Sequence, residues 1–308
     1  MTTSALTLRY TTQMQLDIQR ITRELSDLQR QVSSAEKGND LLTYGAASSR
    51  LVDARGLLAI SDARASAANQ MGARFSVQGA ALSRVSTSAS ELALAIRNAI
   101  SSDDGRTLDL DLQIAFTGII SGLNESWNGQ PLFAGERVGA GPIRISSLDQ
   151  LAAVTTPDEI FDEARRHQTM DLGVGEPVKL ADKASEVSTG LFNAMQSFKA
   201  ILDSAGGKLG EDLTPTQRSA LEDIAGQLDA AVGVVTAAEG RAGQLQSRLF
   251  SEEVRLSARS NLLLKEIGSL SDADVPTLSI QLSTLTAQYQ ATAKVFSEIS
   301  SLSLLDYL

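Results

Sequence analysis

Apolar side chains recur along this chain in steps of four and three, which keeps them on one face of a helix. The first such stripe runs through Met14, Ile18, Ile21, Leu25, Leu28, Val32 and Ala35, with Asp17, Arg20, Arg23, Glu24 and Arg30 off the seam. Turn chemistry at Lys37-Gly38-Asn39-Asp40 and Thr43-Tyr44-Gly45 interrupts it. A second helix is predicted from about Ala46 to Ser101, with its stripe at Ala54, Leu57, Met71, Phe75, Leu82, Val85, Ala89, Leu92 and Ile96, stopping at Asp103-Asp104-Gly105. A third carries Leu108, Leu112, Phe116, Ile119, Leu123 and Trp127 and is expected to close at Asn128-Gly129.

Between Gln130 and Lys183 the pattern changes. Pro131, Pro142, Pro157 and Pro177 fall there with Gly135, Gly139 and Gly141, and short strands are predicted at Ile143 to Ile145, Thr169 to Leu172 and Pro177 to Leu180. Thr156-Pro157-Asp158-Glu159 has capping-box spacing with Pro at the first helical position and predicts one small helix. Helical spacing returns with Val187, Leu191, Met195, Phe198 and Leu202. A second capping box, Thr214-Pro215-Thr216-Gln217, opens the longest seam: Leu221, Ile224, Leu228, Ala231, Val235, Ala238, Ala242, Leu245 and Leu249, continued by Leu256, Leu263, Ile267 and Leu270. At about 1.5 Å per residue the second helix and this one each reach roughly 80 Å, long enough to lie side by side. Pro276 then interrupts.

The last stretch has a stripe at Leu278, Leu282, Leu285, Tyr289, Thr292, Phe296 and Ile299, with Leu302, Leu304 and Leu305 beyond it. Between Val275 and Leu305 its only charged residues are Lys294 and Glu298. A lone solvated helix carries more charge; an oily stripe on an otherwise neutral helix suits contact on several sides. The order is mirror-like, so the fold expected is mainly α: an elongated antiparallel helical bundle or coiled coil with a small α+β insertion. Residues 1–45 and 271–308 form terminal helices, 46–129 and 184–270 a helical rod, and 130–183 the insertion. The two long seams can close inside one molecule. The terminal segments make only a two-helix layer, too thin to bury its apolar surface alone. Candidate subunit-interface residues are therefore Met14, Ile18, Ile21, Leu25, Leu28, Val32, Leu278, Leu282, Leu285, Tyr289, Phe296, Ile299, Leu302 and Leu305.

Composition narrows the function. The formal net charge of -10, without basic blocks, gives no attraction for nucleic acid. The absence of cysteine removes disulfides, thiolate catalysis and Cys-based metal sites. The single histidine, His167, has no second His or Cys nearby and reads as a surface residue rather than a ligand or base. Asp103, Asp104, Asp109 and Asp111 lack the ordered loop of a calcium site and read as helix caps. Neither Gly-rich stretch, 135–141 or 206–210, continues as a phosphate loop or dinucleotide fingerprint. No catalytic, metal or cofactor site is expected, and the chain is not read as an enzyme. No run of about 18 apolar residues predicts a membrane span. The opening MTTSALTLRYTTQM has no apolar core or cleavage site, so a cleaved secretory signal is not expected.

Particular segments carry a resemblance. Ser271-Asp272-Ala273-Asp274, Ala287-Gln288-Tyr289-Gln290-Ala291 and the ending Ile299-Ser300-Ser301-Leu302-Ser303-Leu304-Leu305-Asp306-Tyr307-Leu308 resemble the C-terminal region of the bacterial flagellin superfamily. Leu28-Gln29-Arg30-Gln31-Val32-Ser33-Ser34 resembles its first helix, and Leu132-Phe133-Ala134-Gly135 the motif before its variable domain. Within that superfamily the chain is most similar to the hook-associated subunits at the junction between hook and filament. The resemblance implies terminal helices in the inner core of a tubular assembly and a small outer domain. It also implies an extracellular place on the flagellum and passage through the type III export apparatus with an export chaperone. The implied partners are copies of the same chain and neighbouring hook-associated and flagellin subunits. A filament flagellin and, more distantly, a secreted coiled-coil interaction protein remain as alternative readings.

Overall fold

The structure, a computed structural model, describes residues 2–156, 159–170 and 178–305, and the side chains of 12–298 among them. Helix α1 spans Thr2–Ser34, α2 Ser48–Ser102, α3 Leu108–Leu123, α4 Leu148–Ala153, α5 Ala184–Ser204, α6 Pro215–Ser271 and α7 Val275–Leu305. Two antiparallel hairpins complete the order: β1 Ser126–Trp127 with β2 Gln130–Pro131, and β3 Thr169–Met170 with β4 Val178–Lys179. The chain divides into two compact units, Met1–Arg64 with Arg255–Leu308, and Ala65–Val254.

The unit Ala65–Val254 is a helical bundle. Leu82, Val85, Leu92 and Ile96 of α2, Leu112, Phe116 and Ile119 of α3, Leu191, Phe192 and Phe198 of α5 and Leu221, Leu228 and Val235 of α6 share one buried core. Within it α2 and α6 run antiparallel: Asp103 meets Arg218, Arg97 pairs with Asp229, and Ala68 and Phe75 pack with Ala242 and Leu249. Leu132, Phe133, Ile143, Leu151 and Phe161, all from 130–183, join the same core. The Thr214 box forms as its spacing predicts, with Gln217 N–H donating to Thr214 Oγ1 at 3.2 Å and Thr214 N–H to Gln217 Oε1 at 2.9 Å.

α3 presses close to α2 through glycines. A Cβ at Gly122 would lie 2.6 Å from Val85 Cγ2 and 2.8 Å from the Ala81 carbonyl oxygen. The backbone cannot retreat without moving a helix. Gly122→Ala is therefore expected to destabilise this unit by about 1–3 kcal/mol despite the higher helix propensity of Ala, as a drop in its thermal midpoint will record.

Several local expectations are corrected. Trp127 is not the end of the third helix, which stops at Leu123; it pairs with Gln130 across a hairpin whose turn residues Asn128 and Gly129 have φ of 50° and 77°. Asn-Gly serves either as a helix stop or as a tight hairpin turn, and here it is the turn. A short α-helix that the spacing did not announce lies at Leu148–Ala153, where Ser147 Oγ accepts from Gln150 N–H at 3.2 Å. At the site predicted for a small helix, Glu159 is in 3-10 conformation with its N–H donating to Thr156 O at 3.0 Å, and Pro157 and Asp158 lie outside the described residues. Ile143 to Ile145 make one bridge, Ile143 to Phe161, instead of a strand. In the predicted strands at 169–172 and 177–180, residues 171–177 lie outside the described part. Leu57 is 41% exposed and does not belong to the α2 stripe.

Asp103 and Asp104 do not cap α3, whereas Asp109 and Asp111 lie in its first turn. Asp103 Oδ1 accepts the Leu213 N–H at 2.8 Å just before α6 and pairs with Arg218, while Asp104 accepts from the Arg106 N–H at 3.1 Å. The Asp103 carboxylate thus ties the end of α2 to the approach to α6, and Thr107, the residue before α3, makes no side-chain cap.

Candidate assembly interface

In the unit built from the chain ends, α1 and α7 pack against each other in antiparallel pairing. Their register is set where the chain enters and leaves the long helices. Ala273 N–H donates to Ala35 O at 2.9 Å and Lys37 N–H to Ser271 O at 2.8 Å, and the Lys37 ammonium donates to Leu270 O at 2.9 Å at the C-terminus of α6. A cation there meets unfilled helix carbonyls and the negative end of the helix dipole. Gly45, at φ 50° and ψ -122°, turns the short 3-10 segment Leu41–Ala47 into α2, a conformation that favours glycine. Asp274 starts α7 by accepting from the Thr277 N–H at 3.3 Å and the Thr277 hydroxyl at 2.7 Å, which together hold its pKa below the ordinary Asp value.

The seam that results is shallow. Ile21 is buried, at 5% exposure, whereas Met14, Ile18, Leu25, Leu28, Val32, Leu278, Leu282, Leu285, Tyr289 and Phe296 are only half-buried. The side chains of Ile299, Leu302 and Leu305 lie outside the described residues. In this pairing the two helices leave most of each other's stripe partly uncovered. Beside the seam an open groove of about 500 Å³ is lined by Glu24, Asp27, Leu28, Ile280, Thr284 and Leu285. Apolar groups missed by the stripe also face outward: Leu16 is 55% and Ile280 70% exposed, and Leu42 and Val295 are exposed too. Their signal was present as large apolar residues at positions off the heptad, where a solvated helix carries polar ones.

Among the described residues no three His, Cys, Asp or Glu side chains are grouped to hold a metal ion, and no helix is long and apolar enough to cross a membrane. His167 is half-buried rather than on the surface, because Glu186 draws its Nε2 to 3.1 Å. Glu186 also takes Lys179, and Lys179 and Arg241 converge on Asp182, so the β3–β4 hairpin is tied to α5 and α6 by one charged network.

Burial disfavours the Asp182 carboxylate, but hydrogen bonds from Arg241 and Lys179 outweigh it and hold its pKa below the ordinary Asp value. A pKa lowered in the folded state contributes stability that is present above the unfolded value, about 3.9, and is lost as pH falls through the folded one. Arg241→Gln is thus expected to lower the thermal midpoint of the Ala65–Val254 unit at pH 7 and to flatten its fall on acidification below about pH 4. Melting curves taken across that range read both effects.

The fold and site define a helical protein whose two chain ends meet and leave an incompletely covered apolar seam. Residues 225–308 match the family described as the bacterial flagellin C-terminal helical region. In fold, the chain is similar to a protein from Vibrio parahaemolyticus described as a flagellar hook-associated protein, at TM-score 0.56 and 14% identity over 73% of this chain and 97% of that one. It is also similar to FlgL from Bacillus cereus, at TM-score 0.54 and 10% identity over 70% of this chain and 97% of that one. No curated protein sequence matches the chain. The chain therefore carries a flagellin-type C-terminal helical region, within a fold that it shares with flagellar hook-associated proteins.

Proposed function

We propose that this chain is a structural subunit of the bacterial flagellum, an adaptor of the hook-associated protein 3 type that sits at the hook-filament junction and supports motility. The observation that carries the reading is the α1–α7 seam, where ten of the predicted interface side chains stay half-buried in the single chain. Apolar surface of that kind gains stability when neighbouring subunits cover it. The flagellin C-terminal match over 225–308 and the hook-associated fold support it independently.

In this proposal residues 1–45 and 271–308 form the inner assembly core, 46–129 and 184–270 the middle domain, and 130–183 the outer domain. The interface residues are those of the two terminal stripes, including Ile299, Leu302 and Leu305. The partners are further copies and neighbouring hook-associated and flagellin subunits. The chain reaches the cell exterior through the type III export apparatus, held beforehand by an export chaperone, and it has no enzymatic role. Immunogold labelling of a tagged chain on purified flagella tests this: a single band at the junction is expected. Labelling along the whole filament would make it a flagellin instead, and no label on flagella would remove the flagellar reading.

A further inference from the structure

Of the seven asparagines in the chain, Asn128 alone is followed by glycine. The fold sets that pair at the tip of the β1–β2 hairpin, as the two loop residues between the paired Trp127 and Gln130. Both are exposed, and a Cβ built at Gly129 would meet nothing within 4 Å. Their positive φ values, 50° and 77°, mark a type I′ turn. The Gly129 N–H belongs to the loop and not to the ladder, so no strand bond holds it.

A type II′ turn closes the same two-residue hairpin and differs by a flip of the peptide between the two central residues. The flip leaves φ of the first at about 60° and carries its ψ from about 30° to about −120°, while φ of the second changes sign to about −80°. Glycine makes that change of sign without steric cost. At the flipped ψ the Gly129 nitrogen comes level with the Asn128 Cβ, the arrangement that closes a five-membered ring through Cγ. Neighbouring structure does not stand in the way.

We propose that Asn128 is a site of self-modification in the folded chain, where this turn converts it to aspartate and isoaspartate with water as the only co-reactant. The deprotonated Gly129 nitrogen attacks the Asn128 Cγ; a C–N bond forms, the Cγ–Nδ2 bond breaks, and ammonia leaves with the hydrogen that the Gly129 N–H gave up through solvent. Water then opens the cyclic imide. Addition at the side-chain carbonyl yields aspartate, and addition at the main-chain carbonyl yields isoaspartate, which routes the backbone through Cβ and Cγ.

That detour lengthens the chain by one methylene and adds a carboxylate, so a loop built for two residues between Trp127 and Gln130 no longer fits. Trp127 packs on the buried core of the Ala65–Val254 unit, and the strand beyond the turn leads into Leu132 and Phe133, at 2% and 1% exposure. The hairpin loosens where it enters the core. Each molecule thereby carries its age in this turn.

Peptide mass mapping of the full-length protein, held folded in mildly alkaline buffer and sampled over weeks, tests the proposal. Conversion at Asn128 is expected to run about tenfold or more ahead of every other asparagine, because only here is the next residue free to take either sign of φ. Isoaspartate, read by isoaspartyl methyltransferase labelling, is expected in the product. Trp127 is the only tryptophan, so its emission is expected to drift in step with conversion. Asn128→Gly keeps a Gly-Gly turn that hairpins accept but has no amide to lose, and its emission is expected to stay constant. Conversion in urea without conversion in the folded chain, aspartate without isoaspartate, or an Asn128 no faster than its fellows would each overturn the proposal. An equal drift of emission in Asn128→Gly would overturn the link from the modification to the hairpin.

Discussion

Replacing Leu285 and Phe296 together with Asp is expected to abolish incorporation into any assembly while the Ala65–Val254 unit stays folded. Both side chains lie half-buried along α7, and Leu285 also lines the groove. Each loses apolar burial of about 1.5–3 kcal/mol, scaled down for partial cover in the single chain but reaching the full figure once neighbours close over it. Each also places a carboxylate where no cation waits: α7 has Lys294 as its only positive charge. Covering an unpaired charge costs more than covering a neutral polar group, so the penalty falls mainly on the assembled state. Sedimentation should find the double variant in the supernatant where wild type pellets. Its melting transition for Ala65–Val254 should be unchanged, since that unit's core residues come from α2, α3, α5, α6 and 130–183.

Phe192→Ala is expected to do the opposite, costing that unit about 3–5 kcal/mol while leaving the surface of the terminal helices as it was. Phe192 is fully buried, and its ring meets Phe116 edge-on at 6.4 Å and Phe161 at 5.8 Å between centroids. Truncation removes both aromatic contacts and leaves a cavity at the point where α3, α5 and the 130–183 segment converge. A domain of ordinary stability has only about 5–15 kcal/mol in total. Urea unfolding followed by circular dichroism should show the midpoint move far down. Phe250→Ala, at a ring that is 67% exposed, should hardly move it.

What could be read from residues alone depended on how local the determinant was. Thr214 and Gln217 announce the start of α6 because a capping box is complete within four residues, and both long seams follow from spacing. The thinness of the α1–α7 layer was legible too, since two slender stripes on either side of turn signals cannot form a thick core. Asn128-Gly129 was ambiguous because the same dipeptide ends helices and turns hairpins, and only the pairing of Trp127 with Gln130 decides. Asp103 was misread because its partner, the Leu213 N–H, lies 110 residues away. The groove was illegible for a similar reason: Glu24 and Ile280 share it only after the chain ends have met.

The central claim is that α1 and α7 complete their packing only on other subunits. Amide hydrogen exchange on the free and assembled chain tests it directly. The account predicts fast exchange along Met14 to Ala35 and Leu278 to Leu305 in the free subunit, against slow exchange in the core helices of Ala65–Val254, with protection of the terminal segments appearing on assembly. Full protection of both terminal segments in the free subunit, unchanged when it assembles, would contradict it.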